Sequence, residues 1–203
     1  MDPARDFSEG ELDLALRQQD CPACLLSRET EGAVLTWMAK VNLRETATVR
    51  RLVAAGGLCG RHWSDVSRRV DRTMSRALRR ALVEVARAAI QDVPANGAGI
   101  GPSCPVCAAS ERRAQTTIEI VVRRLASEGT RSEYARSFGL CQPHLDLALR
   151  LKPGELEASA LLAIQRAQLG RLVWRLEAAG DDEAAGEQAA RLVRRKLAGS
   201  PRM

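Results

Sequence analysis

The sequence predicts an all-α protein. Only 3% of its 203 residues are aromatic, and alanine, arginine and leucine are the most abundant types. Such a composition favours cores of closely packed helices over sheets. In the long segments the apolar residues recur at steps of three and four, which is typical of a helix with one buried face, and no strand pattern is evident. We therefore expect a helical bundle.

A cysteine and histidine motif occurs twice and suggests that this bundle is pseudo-duplicated. Each copy has a Cys-Pro-x-Cys sequence and then a Gly-Leu-Cys-x-x-His sequence, with 34 residues between the second and third cysteines in the first copy and 33 in the second. Ser27 and Ser110 keep the same distance from the first cysteine of their copy, as Arg68 and Arg150 do from the third. These correspondences predict an internal repeat of about 83 residues.

The motif uses every cysteine and histidine in the chain. Six cysteines and two histidines divide into two Cys3His sets, and closed tetrahedral sites of that composition hold structural Zn²⁺. Both CxxC and CxxH can present two ligands from the first turn of a helix, where free N–H groups favour thiolates. We predict two zinc sites, one with Cys21, Cys24, Cys59 and His62, and the other with Cys104, Cys107, Cys141 and His144.

Helical hairpins explain how ligands so far apart in sequence can share an ion. In the first copy a helix over 25–41 runs out, 42–44 turn, and a helix over 45–55 returns to Gly56 and Gly57 as a C-cap. In the second copy the corresponding segments are 108–126, 127–130 and 131–137. Pairing across the repeats, Cys21 and Cys24 with Cys141 and His144, is the alternative. Pairing within a repeat is favoured because it closes a single hairpin.

Other uses of the cysteines give alternative hypotheses. Disulfides are disfavoured in the cytoplasm, where thiols stay reduced. A CPxC thiol oxidoreductase would place its first cysteine after a β-strand, and no such strand precedes Cys21 or Cys104. Two iron–sulfur clusters with Cys3His ligation are the main alternative cofactor, since such clusters also bind to cysteine-rich sets.

The duplicated CPxC…GLCxxH pattern, over roughly residues 21–150, resembles a bacterial family of helical, cysteine-rich proteins catalogued as a domain of unknown function. The resemblance supports the ligand assignment and implies no activity.

An arginine-rich segment follows His62. The apolar spacing predicts one long helix over 63–93, and eight arginines fall within an arc of about 120° opposite its apolar face. This arginine stripe is a candidate surface for an anionic partner, either nucleic acid or an acidic protein, with an ordinary solvated face as the alternative. Its members are Arg61, Arg68, Arg69, Arg72, Arg76, Arg79, Arg80 and Arg87, of which the six from Arg68 to Arg80 are the predicted contacts.

The rest of the chain completes the predicted organisation. The expected segments are a capping helix in 1–20 that opens at Ser8, the first repeat over 21–93, a linker over 94–103, the second repeat over 104–179, and a C-terminal helix and tail over 180–203. The apolar stripes predict that Trp37, Trp63 and Trp174 lie in the core, and Tyr134 and Phe138 are expected to shield the second site.

The sequence says more about which classes of function to exclude than about which function the protein has. Ligation would leave no free histidine or cysteine as base or nucleophile, so we lean against an enzyme. There is no secretory signal and no apolar run of the roughly 18–20 residues that span a bilayer. We expect a cytoplasmic protein without a membrane partner, and metal-bound interaction modules are the function class that remains.

Overall fold

The structure, a computed structural model, describes residues 9–40, 45–91 and 104–200. Those residues form ten helices and no strand, so the predicted all-α class is confirmed for the described part of the chain. The helices are α1 Glu9–Leu16, α2 Pro22–Lys40, α3 Thr46–Ala54, α4 Gly60–Arg69, α5 Arg72–Gln91, α6 Pro105–Arg124, α7 Glu128–Arg136, α8 Gln142–Arg150, α9 Glu155–Ala178 and α10 Glu183–Ala198.

Two compact units make up the structure. The described residues of Glu29–Glu111 form the first unit, and those of Ala4–Arg28 with Arg112–Met203 form the second. The division falls inside α2 and inside α6. These units are therefore not the segments 21–93 and 104–179 that the sequence repeat delimits. The repeat is a relation within the sequence and stays a prediction, and Ser8, the turn at 42–44 and the linker at 94–103 lie outside the described residues.

In the first unit α3 packs against α5. Its core joins Val34 and Leu35 of α2 to Leu52, Val66 and Leu78. Trp37 and Trp63 pack against this core while remaining partly exposed.

In the second unit α9 packs against α10 and α7, and α10 also contacts α8. Its fully or almost fully buried side chains include Leu12 of α1, Ile118 of α6, Leu125 just after α6, Tyr134 and Leu161. The same core contains three cysteines, so the candidate ligands are part of the hydrophobic interior.

The single helix predicted over 63–93 is wrong, because α4 ends at Arg69 and α5 begins at Arg72. Val70 is extended (φ −82°, ψ 139°), which ends α4. The Asp71 carboxylate then accepts a hydrogen bond from the Met74 amide at 2.7 Å, as an N-cap side chain does at the start of a new helix. The arginine stripe is consequently divided between two helices.

Two further predictions need correction. The turn predicted at 127–130 is shorter, since α7 already begins at Glu128. Trp174 is not a core residue, because its side chain is 67% exposed. The buried positions of α9 are Leu161, Gln165, Gln168 and Leu172.

No helix in the described part of the chain is long and apolar enough to cross a membrane.

Candidate metal centres

The structure gathers the predicted ligands into two groups of three cysteines and one histidine. Cluster A consists of Cys21, Cys24, Cys141 and His144, and cluster B of Cys59, His62, Cys104 and Cys107. Within each cluster the ligand atoms all lie within 4.8 Å of one another. The same eight residues are used as predicted, but each CPxC is grouped with the CxxH of the other repeat.

This grouping differs from the predicted hairpin clamps, and helix lengths give the physical reason. α2 has 19 residues and α3 only 9, which correspond to about 28 Å and about 14 Å of rise. A helix α3 that returned alongside α2 would therefore cover only about half of its length. Beyond α3 the chain turns at Gly56 and Gly57, which have positive φ. α6 and α7 have the same disparity, with 20 and 9 residues.

Helix N-termini position the ligands of both clusters. Cys21 and Cys141 each precede a helix, and their carbonyls accept hydrogen bonds from Leu25 N at 2.9 Å and Leu145 N at 2.8 Å. Cys59 and Cys104 have the same role in cluster B, with distances of 3.0 and 2.9 Å to the amides four residues later. Each cluster therefore lies where two helices begin, and the exposed amides and positive dipole ends there stabilise thiolates.

The glycine of each GLC sequence is needed for its backbone conformation. Gly57 and Gly139 have φ of +92° and +71°, which residues with a Cβ rarely adopt. A Cβ on Gly139 would also lie 2.2 Å from Oε1 of Gln168. The leucines that follow, Leu58 and Leu140, are buried. In both copies the chain therefore turns sharply at the glycine, the leucine is buried, and the cysteine that follows lies at the N-terminus of the next helix.

The distances within cluster A match the edges of a tetrahedron around one ion. Nδ1 of His144 lies 3.4 Å from Sγ of Cys21, 3.4 Å from Sγ of Cys24 and 3.2 Å from Sγ of Cys141. The sulfurs of Cys24 and Cys141 are 3.7 Å apart. Tetrahedral zinc with Zn–S near 2.3 Å and Zn–N near 2.0 Å gives edges of about 3.8 Å between sulfurs and about 3.5 Å from sulfur to nitrogen.

Cluster B has the same dimensions. Nδ1 of His62 lies 3.2 Å from Sγ of Cys59, 3.2 Å from Sγ of Cys104 and 3.5 Å from Sγ of Cys107. The sulfurs of Cys59 and Cys107 are 3.9 Å apart. Both clusters therefore have the donor set and the spacing to hold one metal ion each.

Without a cation the thiols of one cluster cannot all ionise together. Burial raises the pKa of Cys21, whereas hydrogen bonds from Cys141 and Cys21 lower the pKa of Cys24. In cluster B, burial and the charge of Cys104 raise the pKa of Cys107 to about 12. One thiolate is stabilised by neighbours that remain protonated. A divalent cation would supply the charge that lets all three sulfurs ionise.

Residues near the C-terminal end of α10 cover cluster A. A Cβ on Gly199 would lie 3.4 Å from Sγ of Cys141 and 3.6 Å from Sγ of Cys24, so the backbone there approaches the sulfurs closely. The Ser200 hydroxyl donates to the Asp20 carboxylate. That carboxylate also accepts from the Cys21 amide at 2.7 Å and from Arg28 at 2.5 Å.

A fully buried lysine lies beside the turn that leads into cluster A. Nζ of Lys196 donates to the carbonyl of Phe138 at 2.5 Å and to Oε1 of Gln168 at 2.8 Å. Burial lowers the pKa of Lys196 to about 8, and the charges of Cys21 and Cys141 act in the opposite direction. A Cys3His site with a divalent ion carries a net charge of −1, which this ammonium group would partly neutralise.

Tyr134 fixes the same turn from inside the core. Its hydroxyl accepts a hydrogen bond from the Leu140 amide at 2.9 Å, and its carbonyl accepts one from Nε2 of Gln168 at 2.9 Å. Phe138 packs against the same core while remaining partly exposed. These contacts agree with the expectation that Tyr134 and Phe138 lie near Cys141.

A carboxylate and a guanidinium group flank the histidine of cluster B. Nη2 of Arg61 lies 2.8 Å from Oε1 of Glu31 and 2.9 Å from Nε2 of His62. Glu31 Oε1 itself lies 3.8 Å from that nitrogen. Because Nδ1 of His62 faces the sulfurs, metal binding there would leave the proton on Nε2. The guanidinium group of Arg61 is also a donor, and Glu31 Oε1 at 3.8 Å is beyond hydrogen-bond distance, so the Arg61 side chain would have to shift before Glu31 could accept that proton.

The two clusters differ in access. All three cysteines of cluster A are buried, whereas Cys59 and Cys107 of cluster B are partly exposed. His144 of cluster A is partly exposed, so cluster A reaches the surface at its imidazole, and cluster B presents two sulfurs towards its surroundings.

The arginine stripe is not a uniform surface. Arg61 contacts Glu31 at cluster B, Arg68 pairs with Asp65, and Arg69 donates to Thr36 at 3.2 Å. The side chain of Arg72 lies outside the described residues. The remaining predicted contacts, Arg76, Arg79 and Arg80, are exposed on α5.

Sequence reasoning identified the eight candidate ligands that the structure brings together but missed the residues around them. Asp20 is adjacent to a ligand and Glu31 lies ten residues after Cys21, yet neither belongs to the repeated motif. Lys196 lies far along the chain, and its only signal was that it is one of three lysines among 31 basic residues.

Comparison of the chain with protein-family models, curated proteins and solved structures gives no match.

Proposed function

We propose that this chain is a zinc protein in which two Cys3His sites each hold together the N-terminal ends of two helices. One observation carries the proposal: two complete donor sets, each drawn from segments distant in sequence, with ligand atoms within 4.8 Å of one another. Such a site contributes directly to folding free energy, because the unfolded chain has no preformed site. The proposed role of the metal is structural.

Zinc is favoured over an iron–sulfur cluster by the spacing of the ligand atoms. A cluster distributes its protein ligands over several irons joined by sulfides, which moves the cysteine sulfurs apart. In both clusters the histidine nitrogen lies 3.2–3.5 Å from every sulfur, which suits a single tetrahedral ion. The thiol oxidoreductase alternative is weaker, because the CPxC cysteines lie against a histidine and a third cysteine.

Metal analysis tests the proposal. Protein purified without added metal is expected to contain two zinc ions per chain and to be colourless. Replacement of zinc by Co²⁺ should give the visible bands of tetrahedral thiolate coordination. A brown protein absorbing near 400 nm with iron in excess of zinc would favour the cluster alternative. Absence of both metals, after anaerobic purification, would refute both.

A second candidate function is contact with an anionic partner through α5. Arg76, Arg79 and Arg80 are exposed and have no ion-pair partner in the part of the chain that the structure describes. Exposed arginines on one helix can neutralise phosphates and release counterions. The chain has a net charge of +6, which would assist association with nucleic acid or an acidic protein.

Mobility shift at several salt concentrations tests this surface. Arg76→Glu with Arg80→Glu is expected to weaken binding to a nucleic acid duplex and to reduce its salt dependence. The control, Arg112→Glu with Arg166→Glu, makes the same charge change at exposed positions on other helices. Equal weakening by both pairs would show a non-specific charge effect, and no duplex binding by the unmodified protein would leave an acidic protein as the candidate.

The remaining parts of the proposal concern the compartment, the family and the origin of the two halves. Zinc binding needs reduced cysteines, so we place the protein in a reducing compartment such as the cytoplasm. We also propose that the duplicated motif marks membership of the helical, cysteine-rich bacterial family that it resembles, and that the two halves arose by duplication. No catalytic role is proposed.

A further inference from the structure

A pocket in the unit that contains cluster A is lined by three arginines. Arg136 lies at the end of α7, and Arg171 and Arg175 lie one turn apart on α9. The cavity has a volume of about 120 Å³. Its apolar lining includes Phe138 and Leu172. A neighbouring groove of about 420 Å³ shares Arg136 and Phe138 with it and extends to Arg17, just after the end of α1.

The charge around this pocket is not balanced by carboxylates. No acidic residue lines the smaller cavity, and Glu133 is the one acidic residue that lines the groove. Arg171 donates to the carbonyl of Ala135 at 2.6 Å, which fixes its guanidinium group without neutralising it. Arg136 and Arg175 have no ion-pair partner among the residues that the structure describes.

Three other arginines of the same unit are paired with carboxylates. Arg28 contacts Asp20 at 2.5 Å, Arg113 contacts Glu11 at 2.9 Å, and Arg124 contacts Asp13 at 2.5 Å. The three pocket arginines are exposed, and none of them has a carboxylate partner among the described residues.

Lys196 adds a further positive charge next to residues that line the pocket. It donates to the carbonyl of Phe138, a residue that lines the cavity. Burial is the main cause of the lowered pKa of this lysine, and the charge of Arg171 acts in the same direction. An anion in the cavity would relieve that repulsion.

We propose that this pocket binds a phosphate group. Guanidinium groups present paired N–H donors that match the oxygens of a phosphate, and three of them can neutralise its two negative charges. The source is inorganic phosphate or the phosphate of a small organic ester. The adjoining groove has the size of an ordinary small-molecule site and would hold the organic part of an ester.

The pocket is independent of the proposed zinc sites, although it lies on the segment that leads into one of them. Phe138 is three residues before Cys141, and Gln168, which also lines the pocket, donates to the carbonyls of Tyr134 and Ser137. Phosphate binding would add contacts on the outer side of this turn.

Calorimetric titration of the metal-loaded full chain tests the proposal, with inorganic phosphate, pyrophosphate and phenyl phosphate as probes at constant ionic strength. We expect saturable binding of at least one probe. Tighter binding of phenyl phosphate than of inorganic phosphate would identify an ester as the ligand, and the reverse order would identify free phosphate. Absence of saturable binding of all three at millimolar concentration would overturn the proposal.

Matched variants locate the site. Arg175→Ala and Arg136→Ala are each expected to weaken binding roughly tenfold or more, as loss of a charged hydrogen-bond partner does. Arg175→Lys should restore part of the affinity. Arg166→Ala, at an exposed position of α9 that does not line the pocket, should leave binding unchanged, and equal losses in both variants would refute the site.

Zinc content measured in the same samples separates this proposal from the previous one. Two zinc ions without phosphate binding would reject the pocket alone. Phosphate binding by a protein that lacks zinc would reject the metal proposal alone.

Discussion

Double substitutions of ligands can establish how the eight residues are grouped. Cys24→Ser with Cys141→Ser removes two ligands from cluster A and leaves cluster B complete. Cys24→Ser with Cys59→Ser removes one ligand from each cluster. Because a structural zinc site needs four ligands, the first pair should retain one zinc ion per chain against a chelator and the second pair none.

The size of the stability change follows from the loops that the two clusters close. Cluster A joins Cys24 to Cys141 across 117 residues, and cluster B joins His62 to Cys104 across 42. If each metal acts as a crosslink, closing these loops removes unfolded-state entropy worth about 5 and about 4 kcal/mol. Cys24→Ser with Cys141→Ser should therefore destabilise the chain by about 1 kcal/mol more than Cys59→Ser with Cys104→Ser.

Elemental analysis after dialysis against a chelator gives the zinc count, and urea denaturation gives the free energies of unfolding. The reasoning is refuted if the Cys24 and Cys59 double variant retains one zinc ion and the Cys24 and Cys141 variant none, since that result requires grouping within a repeat. Two zinc ions in every variant would remove these cysteines from the ligand sets altogether.

The remaining predictions concern local structure and can be measured by urea denaturation. Gly139→Ala should destabilise the protein by at least about 1–2 kcal/mol, because φ is positive there and the new Cβ would displace a side-chain amide. Gly170→Ala, in a helix with open space around it, should stabilise by about 1 kcal/mol. Asp71→Ala should cost about 1 kcal/mol through loss of the cap of α5, and exchange of the first amides of that helix should accelerate. Lys196→Met should cost about 1–3 kcal/mol, because the carbonyl of Phe138 loses its buried donor.

The sequence predicted the helical class and the residues of the two candidate metal clusters for the same reason. Both depend on short-range spacing: three- and four-residue steps for helices, and CxxC and CxxH for ligands that share one helical turn. Such spacings do not depend on how the helices pack against one another. The break in 63–93 is an instructive failure, because the apolar spacing continues across Val70 and Asp71 while the backbone does not. An aspartate followed by a new run of helix-forming residues was the available signal.

The C-terminal half shows a second kind of failure, in which polar residues are buried in place of apolar ones. α9 buries Gln165 and Gln168 and exposes Trp174. Gln168 is stable in the interior because it donates to the carbonyls of Tyr134 and Ser137 and accepts from Lys196. Those partners come from segments 28 to 34 residues away, so no pattern along α9 alone could have revealed them.

The grouping of the ligands was beyond the reach of sequence reasoning for an energetic reason. Closure within a repeat spans 34 intervening residues, while the observed contact between Cys24 and Cys141 spans 117. The entropy of loop closure grows only with the logarithm of length, so the longer loop costs about 1 kcal/mol more. That difference is smaller than the free energy of burying one large side chain. Packing therefore decides the grouping. Because α3 is much shorter than α2, the grouping across the repeats is the one that places all four ligands together.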